Sequence, residues 1–426
     1  MRAAYPTLII LEIAPKIISV RRWLRRGLNA SVPLPQSGHF FEQAEGLAAA
    51  WPGEVVFILP PGGRHTFAGV ERTVDAVTKV SVWRAFVFKH LFGRGLQIVR
   101  SFGLRTLATY FAQKCLEAVQ DRAVGEVLAA ELTKHNDAVV ICPTAWEYLC
   151  ESIVRASATL NAAANKRVRV ILCWHHISEH RRIISNDEFG KQLLRWRERA
   201  AGIDLSHVAH WETSAKEWSV EGNAVDWLPY PLNTSQGARR AARAVPEVYL
   251  FARREEQGSS HLEGIIRSFQ SEIKSNLSLR VWTNRIVAEK LRASTSRAES
   301  GSGLAIVIQE PTGLLAFWES VKGRDVAILP YERGPYRFRG SGAMLNLLAA
   351  RVPVVVPGGT GLGDLVAAEG VGLAYQDLSE IPTLVQSIIE NGDQYQVAIE
   401  RYLQKHQATF KATLDGFGGP PPAVLA

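Results

Sequence analysis

The sequence predicts two doubly wound α/β domains in series. Three observations predict it. Short apolar runs, each followed by a longer stretch of helical period, recur through both halves of the chain. A charged stretch short of large apolar residues separates the two series. The length of 426 residues exceeds what one hydrophobic core ordinarily serves and suits two domains of roughly 200 residues each.

In the first series, strands are expected at LIILEI (8–13), EVVFILP (54–60), AVVICP (138–143), VRVILCW (168–174) and HVAHW (207–211). VDWLPYPLN then brings Pro229 and Pro231 close together, and RRAARAVPE follows with charge but little to bury. This places a first domain over 1–232 and a linker over 233–246. A second series follows at VYLFA (248–252), LRVWT (279–283), LAIVIQ (304–309), VAILPY (326–331) and VPVVVP (352–357), and the pattern turns helical after 375. The second domain is expected over 247–415, with the Gly- and Pro-rich end, 416–426, as a frayed tail. Ligands in such sheets sit at the carboxyl ends of the strands, so function is expected in a cleft between the two domains.

Composition narrows the partners. Hydrophobic residues at 47% and charged residues at 21% exclude wholesale disorder and fibrous repeats. An excess of 49 Lys and Arg over 41 Asp and Glu gives +8 and favours an anionic partner. No nucleic-acid recognition motif accompanies that charge, so none is expected as partner. Cys115, Cys142, Cys150 and Cys173 form no CxxC pair, which argues against a disulfide framework or zinc knuckle and for a reducing compartment. Glu12 interrupts the first apolar run, and no segment reaches about 18 uninterrupted apolar residues. The expected location is cytoplasmic, with peripheral attachment to the inner face of the plasma membrane as one option. Residues 80–114 interleave Trp83, Phe86, Phe88, Phe92 and Phe102 with Arg84, Lys89, Arg94, Arg100 and Arg105, and contain no acidic residue. Two readings fit this stretch: an interfacial helix on anionic lipid, or two ordinary helices with a solvated basic face.

The most informative segment for chemistry runs from Leu329 to Val366. A strand ends at Pro330-Tyr331, a basic loop follows, and Gly340-Ser341-Gly342 opens the helix AMLNLLAA. A turn of this kind leaves backbone N–H groups at a helix start, where the macrodipole also favours negative charge, so a diphosphate fits there. Arg337 and Arg339 stand nearby in sequence. On spacing alone, packing geometry is the commoner reason for a glycine turn before a helix.

The run Asn346-Leu347-Leu348-Ala349-Ala350-Arg351-Val352-Pro353-Val354-Val355, with the Gly358-Gly359-Thr360-Gly361 turn after it, resembles the helix and x-Pro-Val-Val strand of retaining GT-B glycosyltransferases, in particular the family 4 group. VYLFARREEQG resembles that family's strand followed by Arg-x-Glu-Lys-Gly, with Arg254, Glu256 and Gly258 in place and Gln257 at the lysine position. Gly38-His39 resembles the family's Gly-His or Gly-Gly near the acceptor side of the cleft, and His175 and His176 stand where the family often has a histidine touching the donor sugar.

The resemblance implies a hexosyltransferase-like enzyme of polysaccharide biosynthesis, taking a nucleotide-sugar donor and a glycan or lipid-linked acceptor, with no cofactor and no metal required. It implies catalytic roles for His175, His176 and Arg254, and donor binding by Gly38, Arg254, Gln257, Tyr331, Gly340, Ser341, Gly342 and Asn346. The sequence departs from the family at one place that matters. The family carries two glutamates eight positions apart, and Phe338 and Asn346 occupy those positions here. An inactive homologue acting as a binding or partner subunit is therefore the alternative expectation.

Overall fold

The computed structural model describes residues 5–11, 39–59, 72–75, 124–143, 145, 152–158, 167–174, 186–200, 203–232, 246–252, 257–272, 277–295, 304–309, 325–337 and 340–418. The chain divides into two compact units, Met1–Leu228 together with Lys411–Ala426, and Pro229–Phe410.

The first unit is built on seven parallel strands: β1 (Thr7–Leu11), β2 (Val55–Leu59), β3 (Arg72–Asp75), β4 (Asp137–Cys142), β5 (Arg167–Trp174), β6 (Asp204–Ala209) and β7 (Val225–Trp227). Their order is β3-β2-β1-β4-β5-β6-β7, with Leu8 opposite Val55 and Val140 opposite both Ile9 and Val170. All five residues of β1 are buried, because a parallel sheet covered on both faces needs apolar side chains in both directions. Helices α1 (His39–Ala50), α2 (Asn186–Arg199) and α3 (Glu212–Trp218) belong to this unit, as do helical residues 124–132 and 152–158. Trp174 from β5 meets Phe189 of α2 edge to face at 5.3 Å, and Phe189 meets Trp218 of α3 at 5.0 Å. This aromatic file fixes both helices on the sheet.

The second unit repeats the plan with β8 (Glu247–Phe251), β9 (Leu277–Trp282), β10 (Leu304–Gln309), β11 (Val326–Ile328), β12 (Val354–Pro357) and β13 (Gly372–Tyr375) in the order β10-β9-β8-β11-β12-β13, all parallel. Its helices are α4 (Leu262–Glu272), α5 (Arg285–Thr295), α6 (Arg333–Tyr336), α7 (Gly342–Ala349), α8 (Gly361–Glu369), α9 (Ile381–Glu390) and α10 (Gly392–Gly418). Ile265, Ile266 and Phe269 of α4 and Val385 and Ile388 of α9 join the strands in one core cluster. Charge enters the sheet only where it is paired: Glu247, buried at the start of β8, takes Arg280 at 2.6 Å and the Tyr249 hydroxyl at 2.8 Å.

Helix α7 ends in a Schellman motif, with Val352 N–H on Leu347 O and Arg351 N–H on Leu348 O, both at 2.9 Å. The left-handed position of that motif is Arg351, φ 62°, where glycine is the usual residue. Its side chain holds the conformation, donating to Ala349 O at 2.7 Å and to Glu400 at 3.2 Å.

Residues 416–418, expected to fray, instead complete α10. Leu414 and Phe417 are buried, and the Tyr5 hydroxyl donates to Asp415 at 3.3 Å. Arg169, buried in β5, donates to Gly416 O at 2.9 Å and Phe417 O at 2.5 Å while its Nε holds Asp204 at 2.6 Å. The last carbonyls of a helix lack intrahelical donors, so a guanidinium satisfies them. Residues 419–426 and most of the expected linker, 233–245, lie outside the described residues.

Candidate functional site

In a parallel sheet every strand ends on the same edge, and the strand order of the second unit reverses between β8 and β11. The loops after these two strands are pressed together. Gly258, φ 77°, follows β8 and lies so near the Pro330 carbonyl that a Cβ there would stand 1.7 Å from its oxygen. No side chain fits without moving backbone.

After β11 the chain is fixed by Tyr331. Its ring is buried and stacks on Tyr336 with centroids 4.2 Å apart, and its hydroxyl lies 3.1 Å from Ser341 Oγ. Ser341 is the N-cap of α7, and its Oγ accepts the Met344 N–H at 3.2 Å. The cap deals with the third N–H of the helix. Those of Gly342 and Ala343, first and second in the helix, have no intrahelical acceptor by geometry. Gly340 and Gly342 are both partly exposed.

The next helix start is different. Thr360 caps α8, accepting from Gly363 N–H at 3.1 Å and donating to Pro357 O at 2.7 Å, and the Gly361 N–H is taken by Arg337 O at 3.0 Å. The chain's own carbonyl occupies the place an anion would take. Of the two neighbouring starts, the one at α7 has no such carbonyl on its first N–H groups among the described residues.

Glu332 carries no motif signal in the sequence. It directly follows Tyr331 and accepts from His261 Nε2 at 2.9 Å and Ser260 Oγ at 3.5 Å, so a carboxylate stands at this edge although neither 338 nor 346 supplies one. The signal was position rather than spacing: the first residues beyond a strand at the switch point are those a ligand meets. Asn346 lies half-buried in α7, one turn in from Gly342, and its backbone oxygen accepts the Ala350 N–H at 3.0 Å. Thus Gln257, Tyr331, Gly340, Ser341, Gly342 and Asn346 come together at the carboxyl edge of the second sheet. Gly38, His175, His176 and Arg254 lie outside the described residues, as do Phe338, Arg339 and the whole of 80–114.

The described part of the first sheet's carboxyl edge has another character. His210, buried just beyond β6, donates from Nδ1 to Leu228 O at 2.9 Å, meets the Gln43 amide through Nε2, and has Pro143 O at 3.4 Å. Burial lowers its pKa to about 4, so it is neutral near pH 7. His207 is lowered to about 4 for the same reason and accepts the Trp174 indole N–H at 3.2 Å. Burial pushes the Cys173 thiol up, which suppresses thiolate chemistry. Among the described residues, no three His, Cys, Asp or Glu side chains gather as metal ligands would, and no helix is long and apolar enough to cross a membrane.

No known protein family matches the chain, and no curated protein matches it in sequence. Solved structures do match in shape. A glycosyltransferase from Rickettsia africae ESF-5 superposes with a TM-score of 0.57 at 9% identity, covering 97% of this chain and 98% of that one. The apo form of the lipopolysaccharide outer core galactosyltransferase WaaB gives a TM-score of 0.52 at 10% identity over 96% and 98%. At such identities the likeness concerns the fold, and the fold is that of the GT-B glycosyltransferases, with two Rossmann-like domains.

Proposed function

We propose that the protein is a retaining glycosyltransferase, hexosyltransferase-like, that moves a sugar from a nucleotide diphosphate sugar to the hydroxyl of a glycan or lipid-linked acceptor in polysaccharide biosynthesis. The observation that carries this reading is the start of α7, open and capped by Ser341 at the strand-order reversal of the second unit. In the reaction the acceptor oxygen forms a bond to the anomeric carbon while the bond from that carbon to the diphosphate breaks. The acceptor proton passes to the departing phosphate oxygen. Negative charge grows on the leaving group, and the Gly342 and Ala343 N–H groups at the positive end of the helix dipole stabilise it without reorganising. Arg254 and Gln257 are assigned to the same diphosphate, Arg254 with charge and Gln257 by hydrogen bonding only. Tyr331 holds the turn in place through Ser341, Glu332 and Asn346 face the hydroxyl groups of the donor, and His175 and His176 its sugar, with Gly38 on the acceptor side. Compensation by backbone dipoles and an arginine leaves no requirement for a metal or other cofactor. The work is assigned to the cytoplasm, with residues 80–114 meeting an anionic membrane surface.

The test is Gly342→Pro. Proline is tolerated at the first position of a helix, and Ser341, φ −129° and ψ 109°, already has the extended conformation that precedes proline. The substitution deletes one N–H and leaves the helix. Nucleoside diphosphate affinity by calorimetry should fall about tenfold, the loss of one charge-assisted hydrogen bond. Unchanged affinity would remove the diphosphate from this turn. Binding of nucleotide sugars without hydrolysis or transfer would make the protein a binding or partner subunit instead.

A further inference from the structure

The carboxylate of Glu332 is held on one side only. Its Oε1 receives both His261 Nε2 at 2.9 Å and Ser260 Oγ at 3.5 Å, while its Oε2 has no hydrogen-bond partner among the described residues. The side chain is 37% exposed, so a ligand can reach it. Glu332 stands at the N-cap of α6 yet makes no capping bond, its side chain turning across to the start of α4 instead. There His261 is fixed through its backbone, with its N–H on Gly258 O and its own carbonyl on the Ile265 N–H, both at 3.0 Å. Gly258 in turn lies against Pro330, so the two loops that carry the pair share one rigid frame. Among the described residues no Lys or Arg pairs with Glu332, and the adjacent Arg333 donates to Gln376 O. This carboxylate is one residue from Tyr331, whose hydroxyl meets the Ser341 cap.

We propose that Glu332 selects the donor by the charge of its sugar, admitting neutral sugars and rejecting uronates, with His261 as its positioning residue. The inference rests on the diphosphate reading above. An ionised carboxylate only accepts hydrogen bonds, so its unengaged oxygen takes a sugar hydroxyl or amino group. A uronate brings a second carboxylate, which offers no proton and meets like charge at a partly desolvated edge. Such a juxtaposition rejects the wrong partner by repulsion rather than by loss of contact. The two kinds of negative charge on a donor are thereby treated differently: the diphosphate meets N–H groups at the start of α7, and the sugar meets an anion.

Calorimetry on the full chain at pH 8 compares UDP-glucose with UDP-glucuronate, and GDP-mannose with GDP-mannuronate, beside UDP and GDP alone. The readout is the ratio of the two affinities within a pair, in which any common effect on the diphosphate cancels. In wild type the neutral sugar should be favoured at least about tenfold, and in Glu332→Gln the ratio should fall to about twofold through a gain by the uronate. His261→Ala, which leaves the carboxylate without its nearest donor, should lower the ratio as well, and His261→Gln, which keeps an N–H there, should restore it. A ratio near one in wild type, or one unchanged in Glu332→Gln, overturns the selection while leaving the diphosphate site standing. Loss of UDP and GDP binding in Glu332→Gln overturns it too, since the carboxylate would then serve the nucleotide. An unchanged ratio in His261→Ala overturns the positioning role. Failure of wild type to bind every one of these compounds overturns the diphosphate reading, and the selection with it.

Discussion

The two sheets share one strand order and differ in what they place at their carboxyl edges. The described edge of the first ends in buried neutral groups, His210 with Gln43 and His207 with Trp174, joined to one another or to backbone carbonyls. The second ends in a partly exposed glycine turn, a carboxylate on His261, and two buried polar atoms with no partner, Thr283 Oγ1 and Gln309 Oε1. Topology nominates both edges equally. Hydrogen-bond satisfaction alone does not distinguish them, because His207 Nε2 in the first sheet is buried without a partner as well; the partly exposed helix start at Ser341 does.

Acidification should break the symmetry most. His207 and His210 each have a folded pKa of about 4 against an unfolded value of 6.5. The unfolded chain therefore takes up protons first as pH falls, so stability is full above about pH 7 and is lost between the unfolded and folded values. At pH 5 the loss is about 2 kcal/mol for each histidine. Hydrogen exchange read by mass spectrometry should show β5 and β6 opening before β11 and β12. Simultaneous opening would mean that the histidines do not govern the first unit.

Gly258→Ala acts on the other side of the comparison. It forces the β8 and β11 loops apart and should cost about 3 kcal/mol, combining backbone strain at positive φ with overpacking. Denaturant unfolding should show the loss in the second unit, together with loss of nucleotide binding. Retained binding would separate the site from this contact. Arg169→Ala should cost about 2 kcal/mol, leaving Asp204 and two helix-terminal carbonyls without their donor. It should loosen 411–418 in exchange experiments while nucleotide affinity holds. A change in affinity would show that the helix end communicates with the second sheet.

The sequence displayed most of this fold because its buried strands are long apolar runs. VRVILCW and LAIVIQ are visible without any partner. The strands it hid are short or polar: RTVD in β3, VDW in β7 and GLAY in β13. Such strands form because a ladder is already present beside them, as Val356 opposite Ala374 illustrates. The Ser341 turn was legible because glycines before an apolar helix are a local signal. Glu332 was not, since it stands apart from positions 338 and 346, where the resemblance expects carboxylates, with the four-residue helix α6 between it and the first of them. The Gln43–His210 pair joins residues 167 apart in the chain, and the orphan status of Thr283 and Gln309 depends on what fails to surround them. Neither property is carried by a short stretch of residues.

Helix α10 begins among the residues of the second unit and finishes, from Lys411 onward, among those of the first. During synthesis the amino-terminal half leaves the ribosome early, yet Arg169 waits for carbonyls translated more than two hundred residues later. The portion made first is thus the portion finished last, and a nascent chain stopped short of 411 would carry a first half with its final turns of helix missing.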